Sequence, residues 1–325
     1  MSGDRGPSVC VPAARAAAQR HGDVRFTLVG RKADLERELG ASVPANLRCL
    51  HAEDVVGMSD HPRDALRRKK DSSMRRALDL VKSRDADACV SAGNTGALMA
   101  TAHFVLKMLP GVERPAIVSS IPSRGGHTFM LDLGANATCT PAQLNQFAVM
   151  GSILAADGGG AHARPRVGLL NIGEEDIKGD EIVQAAHILL GASDLNYVGF
   201  VEGHDIFSDT VDVVVTDGFT GNVALKTMEG VARLITDAMR EEFTRSAGRK
   251  LGALIASPAL KALRSRLDPR RYNGASMVGL NGVVIKSHGG ADAFAFERAI
   301  EVAILEARNG VPARIAERLG SPPVN

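Results

Sequence analysis

Val213-Val214-Val215-Thr216-Asp217-Gly218-Phe219-Thr220-Gly221-Asn222 joins three β-branched residues to a loop of small polar residues. The valine run is typical of a buried β-strand, and the pattern after Gly221 is that of a helix. A strand that turns directly into a helix presents unpaired backbone N–H groups and the positive helix end at one point. This stretch therefore predicts an α/β fold with an anion-binding turn.

Three other stretches repeat this pattern of an apolar run, a turn rich in Gly and Asn, and a helix. They are residues 88–96, 130–136 and 167–173. In open α/β sheets, ligands bind beyond the carboxyl ends of the strands. If the four strands are neighbours, their turns meet in one crevice suited to an anion, for which we expect phosphate. The plainer interpretation, that Gly and Asn only form tight turns, stays open for each stretch.

The composition is that of an ordinary globular chain, with 325 residues, 45% hydrophobic and 23% charged, and a net charge of +2. The balanced charge and the few aromatic residues argue against a nucleic-acid partner. The cysteines, Cys10, Cys49, Cys89 and Cys139, form no C-x-x-C pair, which argues against a disulfide framework or a zinc site. We expect a cytoplasmic protein without a metal or a cofactor.

Strands and helices alternate along the chain, which predicts a largely parallel sheet covered by helices. We expect one α/β domain over residues 1–325, with a candidate break between two lobes near 155–165, where glycine is frequent. Residues 240–271 differ, because they hold nine basic and three acidic residues, a local net charge of +6, with leucines at helical spacing. This segment predicts a basic, amphipathic helical hairpin inserted into the α/β body.

Four charged or titratable residues lie in or near the predicted strands and the turns that follow them. Lys178 can neutralise phosphate, and a solvated loop lysine is the alternative. Asp217 ends a buried strand, where a carboxylate needs a partner, so it either caps a helix or orients a nucleophile or Lys178. Asp132 lies in an apolar strand and has the same ambiguity. His288 is a pocket candidate, although a single histidine is more often structural.

Several catalytic motifs are absent from the sequence. It contains no G-x-S-x-G elbow, no H-E-x-x-H, no Walker A sequence and no G-x-G-x-x-G at the first βα turn. These absences disfavour a serine hydrolase, a zinc hydrolase, a P-loop enzyme and an ordinary Rossmann dehydrogenase.

Five motifs occur in a fixed order, and together they resemble the bacterial phosphate acyltransferase (PlsX) family. They are Ser91-Ala92-Gly93-Asn94-Thr95-Gly96-Ala97-Leu98-Met99, Leu131-Asp132-Leu133-Gly134-Ala135-Asn136, Asn171-Ile172-Gly173-Glu174-Glu175, Thr216-Asp217-Gly218-Phe219-Thr220-Gly221-Asn222-Val223 and Ile285-Lys286-Ser287-His288-Gly289. The resemblance extends from Gly3 to about residue 318.

The resemblance implies an acyl-[acyl-carrier-protein]:phosphate transacylase, which makes acyl phosphate for the first acylation of glycerol 3-phosphate in phospholipid synthesis. It implies a three-layer α/β/α sandwich, similar to the isocitrate/isopropylmalate dehydrogenase and phosphotransacetylase group, and a homodimer. It also implies a functional link to a membrane acyltransferase that passes the acyl group from acyl phosphate to glycerol 3-phosphate. Lys178 and Asp217 occupy the positions that are regarded as essential in the family.

This chemistry suits the residues in the turns. A thioester needs little acid catalysis, because its leaving thiol has a pKa of about 8.5. Phosphate near neutral pH is substantially dianionic and already a nucleophile. The site therefore has to orient phosphate and offset its charge. We predict that phosphate or substrate is bound by Asn94, Thr95, Gly96, Asn136, Asn171, Gly218, Thr220, Gly221, Asn222 and His288.

Two basic surfaces are candidates for contact with acidic acyl carrier protein or an anionic membrane. The first contains Arg67, Arg68, Lys69 and Lys70. The second is the 240–271 hairpin, with Arg249, Lys250, Leu254, Leu260, Lys261 and Arg264. A solvated helix face is the alternative for each. For the hairpin, the resemblance implies dimer packing and reversible contact with the inner face of the membrane.

The chain departs from the family at its start. Family members begin with a strand that leads into D-x-M-G-G-D, and only Ser2-Gly3-Asp4 has a counterpart here. We expect an upstream start codon that encodes the missing strand.

Three other functions remain as alternatives. The first is a phosphotransacetylase that uses acyl-CoA, and the second is a membrane-associated scaffold with impaired catalysis. The third is an isopropylmalate-type oxidoreductase, which the lack of a nicotinamide fingerprint disfavours.

Overall fold

The computed structural model describes residues 1, 3–157 and 162–320, with the side chain of Arg264 left out. The strands are β1 Phe26–Gly30, β2 Leu47–His51, β3 Ala88–Ser91, β4 Ala116–Ser123, β5 Gly126–Leu131, β6 Arg166–Leu170, β7 Asn196–Val201, β8 Val213–Val215, β9 Ala275–Val278 and β10 Val283–Lys286. The helices are α1 Pro7–Arg20, α2 Lys32–Leu39, α3 Pro62–Arg68, α4 Ser73–Lys82, α5 Thr95–Leu106, α6 Pro141–Asp157, α7 Glu181–Gly191, α8 Gly218–Thr244, α9 Ala247–Ile255, α10 Ser257–Leu267, α11 Ala293–Arg308 and α12 Val311–Gly320. Two 3-10 helices cover Asp205–Phe207 and Pro269–Tyr272.

Eight strands form one sheet in the order β3-β10-β9-β4-β5-β8-β6-β7. The prediction of a largely parallel sheet holds for four of its seven pairings. It fails for the other three, because β9 runs antiparallel to both β10 and β4, and β4 runs antiparallel to β5. The strands β3, β10 and β4 therefore run one way, and the other five run the opposite way. The strands β1 and β2 pair with each other in a separate parallel sheet.

Helices cover both faces of the large sheet, which gives the predicted three layers. Val214 of β8 belongs to the cluster under α4, α5 and α8, whereas Val213 and Val215 belong to the cluster under α6, α7 and α12. Alternate side chains of a strand point to opposite faces, so this valine run is buried on both sides. Near the other end of the sheet, α11 packs on Val283 and Ile285.

Most predicted elements match the structure within a few residues. The predicted hairpin at 240–271 corresponds to the end of α8 followed by α9 and α10. Of the candidate break at 155–165, residues 158–161 lie outside the described ones, 155–157 form the end of α6, and 162–165 precede β6, which begins at Arg166. The sequence interpretation missed α3, α12 and β9, and β9 is the strand that runs antiparallel to both of its neighbours.

Candidate active site

Three of the four Gly/Asn turns meet at one edge of the sheet. The strands β5, β8 and β6 are parallel neighbours, and Val215 pairs with both Leu131 and Leu169. Asn171 and Asp217 each lie two residues after the paired Leu169 and Val215, so they follow the ends of adjacent strands side by side. We call this edge, with the turns that follow β5, β8 and β6, the Asp217 edge.

The fourth turn lies at the opposite edge, so the prediction of a single crevice is wrong. It follows β3, which runs against β5 because three antiparallel pairings separate the two strands. Asn94, Thr95 and Gly96 therefore open on the same side as His288, which follows β10, the parallel neighbour of β3. We call this side, with the turns that follow β3 and β10, the Asn94 edge.

Asp132 organises the Asp217 edge. Its side chain is fully buried, and Oδ1 accepts hydrogen bonds from the N–H groups of Ile117, Gly134 and Ala135 at 3.0–3.1 Å. Oδ2 accepts from the backbone and side-chain nitrogens of Asn136 at 2.7 and 2.9 Å. A buried carboxylate is stable only when its oxygens are satisfied, and five N–H donors meet that need. The ambiguity at Asp132 is thus resolved in favour of a structural role.

The start of α8 packs directly on this turn. Gly218 N–H donates to Asn136 O at 2.7 Å. Asp217 is the N-cap of α8, and its carboxylate accepts from Thr220 N–H at 2.9 Å and from Thr220 Oγ1 at 2.7 Å. The N–H of Gly221 donates to Asp217 O at 2.9 Å. The N–H groups of Gly218, Thr220 and Gly221, which we predicted to bind phosphate, are therefore occupied within the fold.

Two of the three asparagines predicted at this edge also hold backbone. Asn136 Nδ2 donates to Pro115 O at 2.7 Å, in addition to Asp132. Asn171 Nδ2 donates to Lys178 O at 3.1 Å, which closes the loop after β6. Asn222 is exposed and packs beside Gly134.

Lys178 lies in that loop with an exposed side chain. Its N–H donates to Glu175 O at 2.9 Å, and its stem rests near Gly173. No carboxylate among residues 1, 3–157 and 162–320 forms an ion pair with its ammonium group. Lys178 thus presents a positive charge at the Asp217 edge without a fixed counter-ion.

The Asn94 edge is built differently. Asn94 caps α5 by accepting from Ala97 N–H at 2.9 Å, and its Nδ2 donates to the carbonyls of Met58 and Asp60. The N–H groups of Thr95 and Gly96 have no acceptor among the described residues. The asparagine is therefore structural, whereas two backbone donors at the helix start stay open.

His288 lies at the Asn94 edge with an exposed side chain. Its N–H donates to Asn273 Oδ1 at 2.9 Å, and its Nδ1 accepts from Gly290 N–H at 3.1 Å. One ring nitrogen thus supports the turn after β10, and the other is left for further contacts.

Lys286 is a residue of this edge that sequence interpretation missed. Its side chain is buried, and burial, together with nearby Lys226, lowers the pKa of its ammonium group to about 8, against the opposing effect of Asp4. The sequence signal was a lysine that ends the otherwise apolar run Val283-Val284-Ile285.

Cys139 is the thiol nearest the Asp132 turn. Burial, and then the negative charge of Asp132, raise its pKa to about 11. A thiol with this pKa is almost entirely protonated near neutral pH and is a poor nucleophile. The thiol therefore does not provide a ready site for an acyl-enzyme.

The described residues contain no cluster of three or more His, Cys, Asp or Glu side chains arranged to hold a metal ion. Among the helices of residues 1, 3–157 and 162–320, none is long and apolar enough to cross a membrane.

Sequence relatives place these features in a family. The family described as "Fatty acid synthesis protein" matches residues 1–314. The phosphate acyltransferase of Alkalilimnicola ehrlichii is 57% identical over 324 residues, which cover 99% of this chain and 94% of the relative. The phosphate acyltransferase of Halorhodospira halophila is 55% identical over 329 residues, with 99% and 96% covered. The chain belongs to the phosphate acyltransferase family.

Solved structures confirm the predicted fold of this acyltransferase. A phosphotransacetylase from Streptococcus pyogenes superposes with a TM-score of 0.62 at 15% identity, covering 93% of this chain and 92% of that one. The EutD phosphotransacetylase from Staphylococcus aureus gives a TM-score of 0.52 at 14% identity, covering 92% and 99%. At these identities the likeness concerns the fold alone.

The first predicted docking surface, Arg67 to Lys70, has one side chain that forms hydrogen bonds within the protein. Lys69 Nζ contacts Asp60 Oδ2 at 2.5 Å and donates to Val55 O at 2.7 Å. Arg68 approaches Asp64 at 3.5 Å on the exposed face of α3, and Arg67 and Lys70 are exposed. Three of the four predicted cations thus remain at the surface.

The second predicted surface is more apolar than the first. Leu254 is 70% exposed and Ile255 is 76% exposed, and Lys250 and Lys261 are exposed beside them. Leu260 is half-buried, and Arg249 forms an ion pair with Glu242. The side chain of Arg264 lies outside the described residues.

Gly221→Ala is expected to destabilise the protein, because the added Cβ would lie 1.9 Å from Asp132 O. Overpacking of this kind typically costs about 1–3 kcal/mol. Gly230→Ala, in the same helix, is the matched control: its Cβ would meet nothing within 4 Å, so alanine should raise the free energy of unfolding by up to about 1 kcal/mol. Urea unfolding measures both changes. Equal stabilities of the two variants would contradict the tight packing of α8 on the Asp132 turn.

Proposed function

We propose that this protein transfers a fatty acyl group from acyl carrier protein to inorganic phosphate. The product, acyl phosphate, would supply a membrane acyltransferase that acylates glycerol 3-phosphate in phospholipid synthesis. The observation that carries the proposal is the identity of 55–57% with phosphate acyltransferases over almost the whole chain. The fold shared with phosphotransacetylases is consistent with it.

The residues at the two edges support direct attack by phosphate. The Cys139 thiol is buried with a raised pKa, and the Thr220 hydroxyl donates to Asp217. Neither forms a contact with a histidine or lysine base among the described residues, and such a base is the usual activator of a nucleophile. A phosphate oxygen therefore forms the C–O bond with the thioester carbonyl, the C–S bond breaks, and the thiolate leaves with the electron pair and takes a proton from water.

In this proposal Lys178 offsets the negative charge that accumulates as phosphate meets the thioester. Its exposed ammonium group lies in the loop after β6, and Asp217 follows the neighbouring strand. Asp217 acts by fixing the start of α8 through its two bonds to Thr220. This arrangement supplies charge stabilisation and a rigid frame, which are the needs of the reaction.

Lys178→Ala is expected to lower the rate of acyl-phosphate formation by about 10²–10³-fold, because removal of one stabilising group typically has this effect. The assay mixes palmitoyl-acyl carrier protein with inorganic phosphate and detects acyl phosphate. Lys32→Ala, an exposed lysine on α2, is the control and should keep the wild-type rate. A Lys178→Ala variant with near-normal turnover at saturating phosphate would contradict the role of Lys178.

The same assay separates the alternatives by the donor. The proposal expects faster turnover with acyl carrier protein than with acyl-CoA at equal concentrations. A preference for acyl-CoA would indicate a phosphotransacetylase-like enzyme. No turnover with either donor would favour the non-catalytic scaffold.

We further propose that α9 and α10 contact the inner face of an anionic membrane, in a chain that forms a homodimer as the resemblance implies. Exposed Leu254 and Ile255 lie in a segment with a local net charge of +6, and apolar and basic groups together favour an anionic bilayer surface. Such a contact would bring the site close to the membrane enzyme that is proposed to use its product.

Replacing Leu254 and Ile255 by Glu is expected to abolish sedimentation with phosphatidylglycerol vesicles, because it removes apolar area and adds negative charge. Ile188→Glu, which replaces an equally exposed residue on α7, is the matched control and should still sediment. Unchanged binding of the double variant would rule out the membrane contact. Loss of self-association in that variant would instead assign this face to a second copy of the chain.

A further inference from the structure

Lys286 occupies an unusual position for a lysine. It ends β10 and is only 8% exposed. Side chains alternate along a strand, so Lys286 lies on the same face as Val284, which belongs to the cluster beneath α5 and α8. The ammonium group therefore sits at the Asn94 edge of the covered face rather than in solvent.

The contacts of Lys286 leave most of the N–H donors of its ammonium group unpaired. Its Nζ donates to Ser287 O, and this carbonyl is its only acceptor within residues 1, 3–157 and 162–320. A protonated lysine carries three donors, and leaving donors unpaired in a buried group is costly. The cost is consistent with a bound group that completes the site.

A second lysine, Lys226, indicates that the bound group is an anion. Lys226 lies on α8, whose Ala224, Leu225 and Met228 pack on the same cluster as Val284. Its charge lowers the pKa of Lys286, so both lysines act on the same face of the sheet. Lys226 pairs with Glu229 at 3.0 Å, and Asp4 is the acid that acts on Lys286. The adjoining strands β3 and β9 and the first turn of α5 contribute no charged side chain, and His288 follows two residues later.

Backbone donors converge on the same edge. Lys286 pairs with Ser91 across β10 and β3, and α5 begins four residues after Ser91. The N–H groups of Thr95 and Gly96 have no acceptor among the described residues. Two lysines and an open helix N-terminus are the donor set that suits a tetrahedral phosphate group.

We propose that Lys286 and Lys226, together with the start of α5, bind a phosphate group of a substrate at the Asn94 edge. The inference rests on the proposed function, in which both substrates contain a phosphate group. One is the inorganic acceptor, and the other is the thioester donor, whose pantetheine arm carries a phosphodiester. Lys226 lies eight residues after Gly218, about 12 Å along α8 from the Asp217 edge, so this site is separate from Lys178.

The test uses Lys286→Met, Lys226→Met, the conservative Lys286→Arg, and Lys32→Met as an exposed control. The first measurement needs no turnover: inorganic phosphate should raise the thermal midpoint of the wild type and the control, and less so that of the two Met variants. The second gives KM for phosphate and for the acyl donor separately. Lys226 is on an exposed helix face, so its variant remains informative if Lys286→Met folds poorly.

The expected result is a rise of about 10- to 100-fold in one of the two KM values in both Met variants, with recovery in Lys286→Arg. A rise for the donor assigns the site to the phosphodiester and leaves the acceptor phosphate with Lys178. A rise for phosphate assigns the site to the acceptor and would contradict the role proposed for Lys178 at the Asp217 edge. In the wild type the affected KM should increase above a pH of about 8, because Lys286 loses its proton there, and Lys286→Arg should stay flat.

Unchanged values of both KM in both Met variants, with the same pH dependence as the wild type, would overturn the inference. Loss of turnover with every donor in the wild type would instead refute the proposed function, while the thermal shift with inorganic phosphate would still test the site. If inorganic phosphate raised the thermal midpoint equally in the wild type and both Met variants, that measurement alone would overturn the inference.

Discussion

The buried carboxylate of Asp132 is the contact on which the rest of the Asp217 edge depends. It gathers five N–H donors from the start of β4, from the turn after β5 and from Asn136. The turn then receives α8 so closely that Gly218 and Gly221 have no room for a Cβ. One carboxylate thereby fixes where a strand ends, where a helix begins and how near the two approach.

This construction decides which groups remain for chemistry. The asparagines and helix N–H groups of the Asp217 edge are largely consumed in holding the backbone, as Asn136, Asn171 and Thr220 show. The charged groups left for chemistry are cations: exposed Lys178 at one edge, and Lys286 with Lys226 at the other. At that second edge the N–H groups of Thr95 and Gly96 also have no acceptor among the described residues. A reaction that joins an anion to a thioester, which gains negative charge as it is attacked, is served by cations placed in a rigid frame.

Much of this arrangement could be predicted from the sequence. The valine run of β8 predicted a strand buried on both faces, and the parallel order of β5, β8 and β6 brings three of the four turns together as expected. The family and the three-layer fold were also predicted correctly. The strand and its turns follow from local patterns, in which apolar periodicity and turn residues lie within a few positions of each other. The family and the three-layer fold follow from the resemblance of the five motifs.

The failures concern non-local pairing and competition for hydrogen bonds. The antiparallel pairing of β4 with β5 reverses the direction of the sheet. The four-residue strand β9 pairs antiparallel with both β10 and β4, and no local pattern shows which neighbours a strand this short will choose. The sequence also cannot show whether an asparagine amide serves the backbone or a ligand, because both uses favour the same residue at a turn. For Asn94 and Asn136 the structure shows that the backbone is the partner.

The most direct test of the account is the intact mass of the protein after mixing with a stoichiometric amount of acyl thioester of acyl carrier protein, before and after phosphate is added. Direct attack by phosphate predicts an unmodified mass at both times, with acyl phosphate appearing only after the addition. A mass increase of one acyl group that forms without phosphate and disappears when phosphate is added would show an acyl-enzyme. That result would contradict the account.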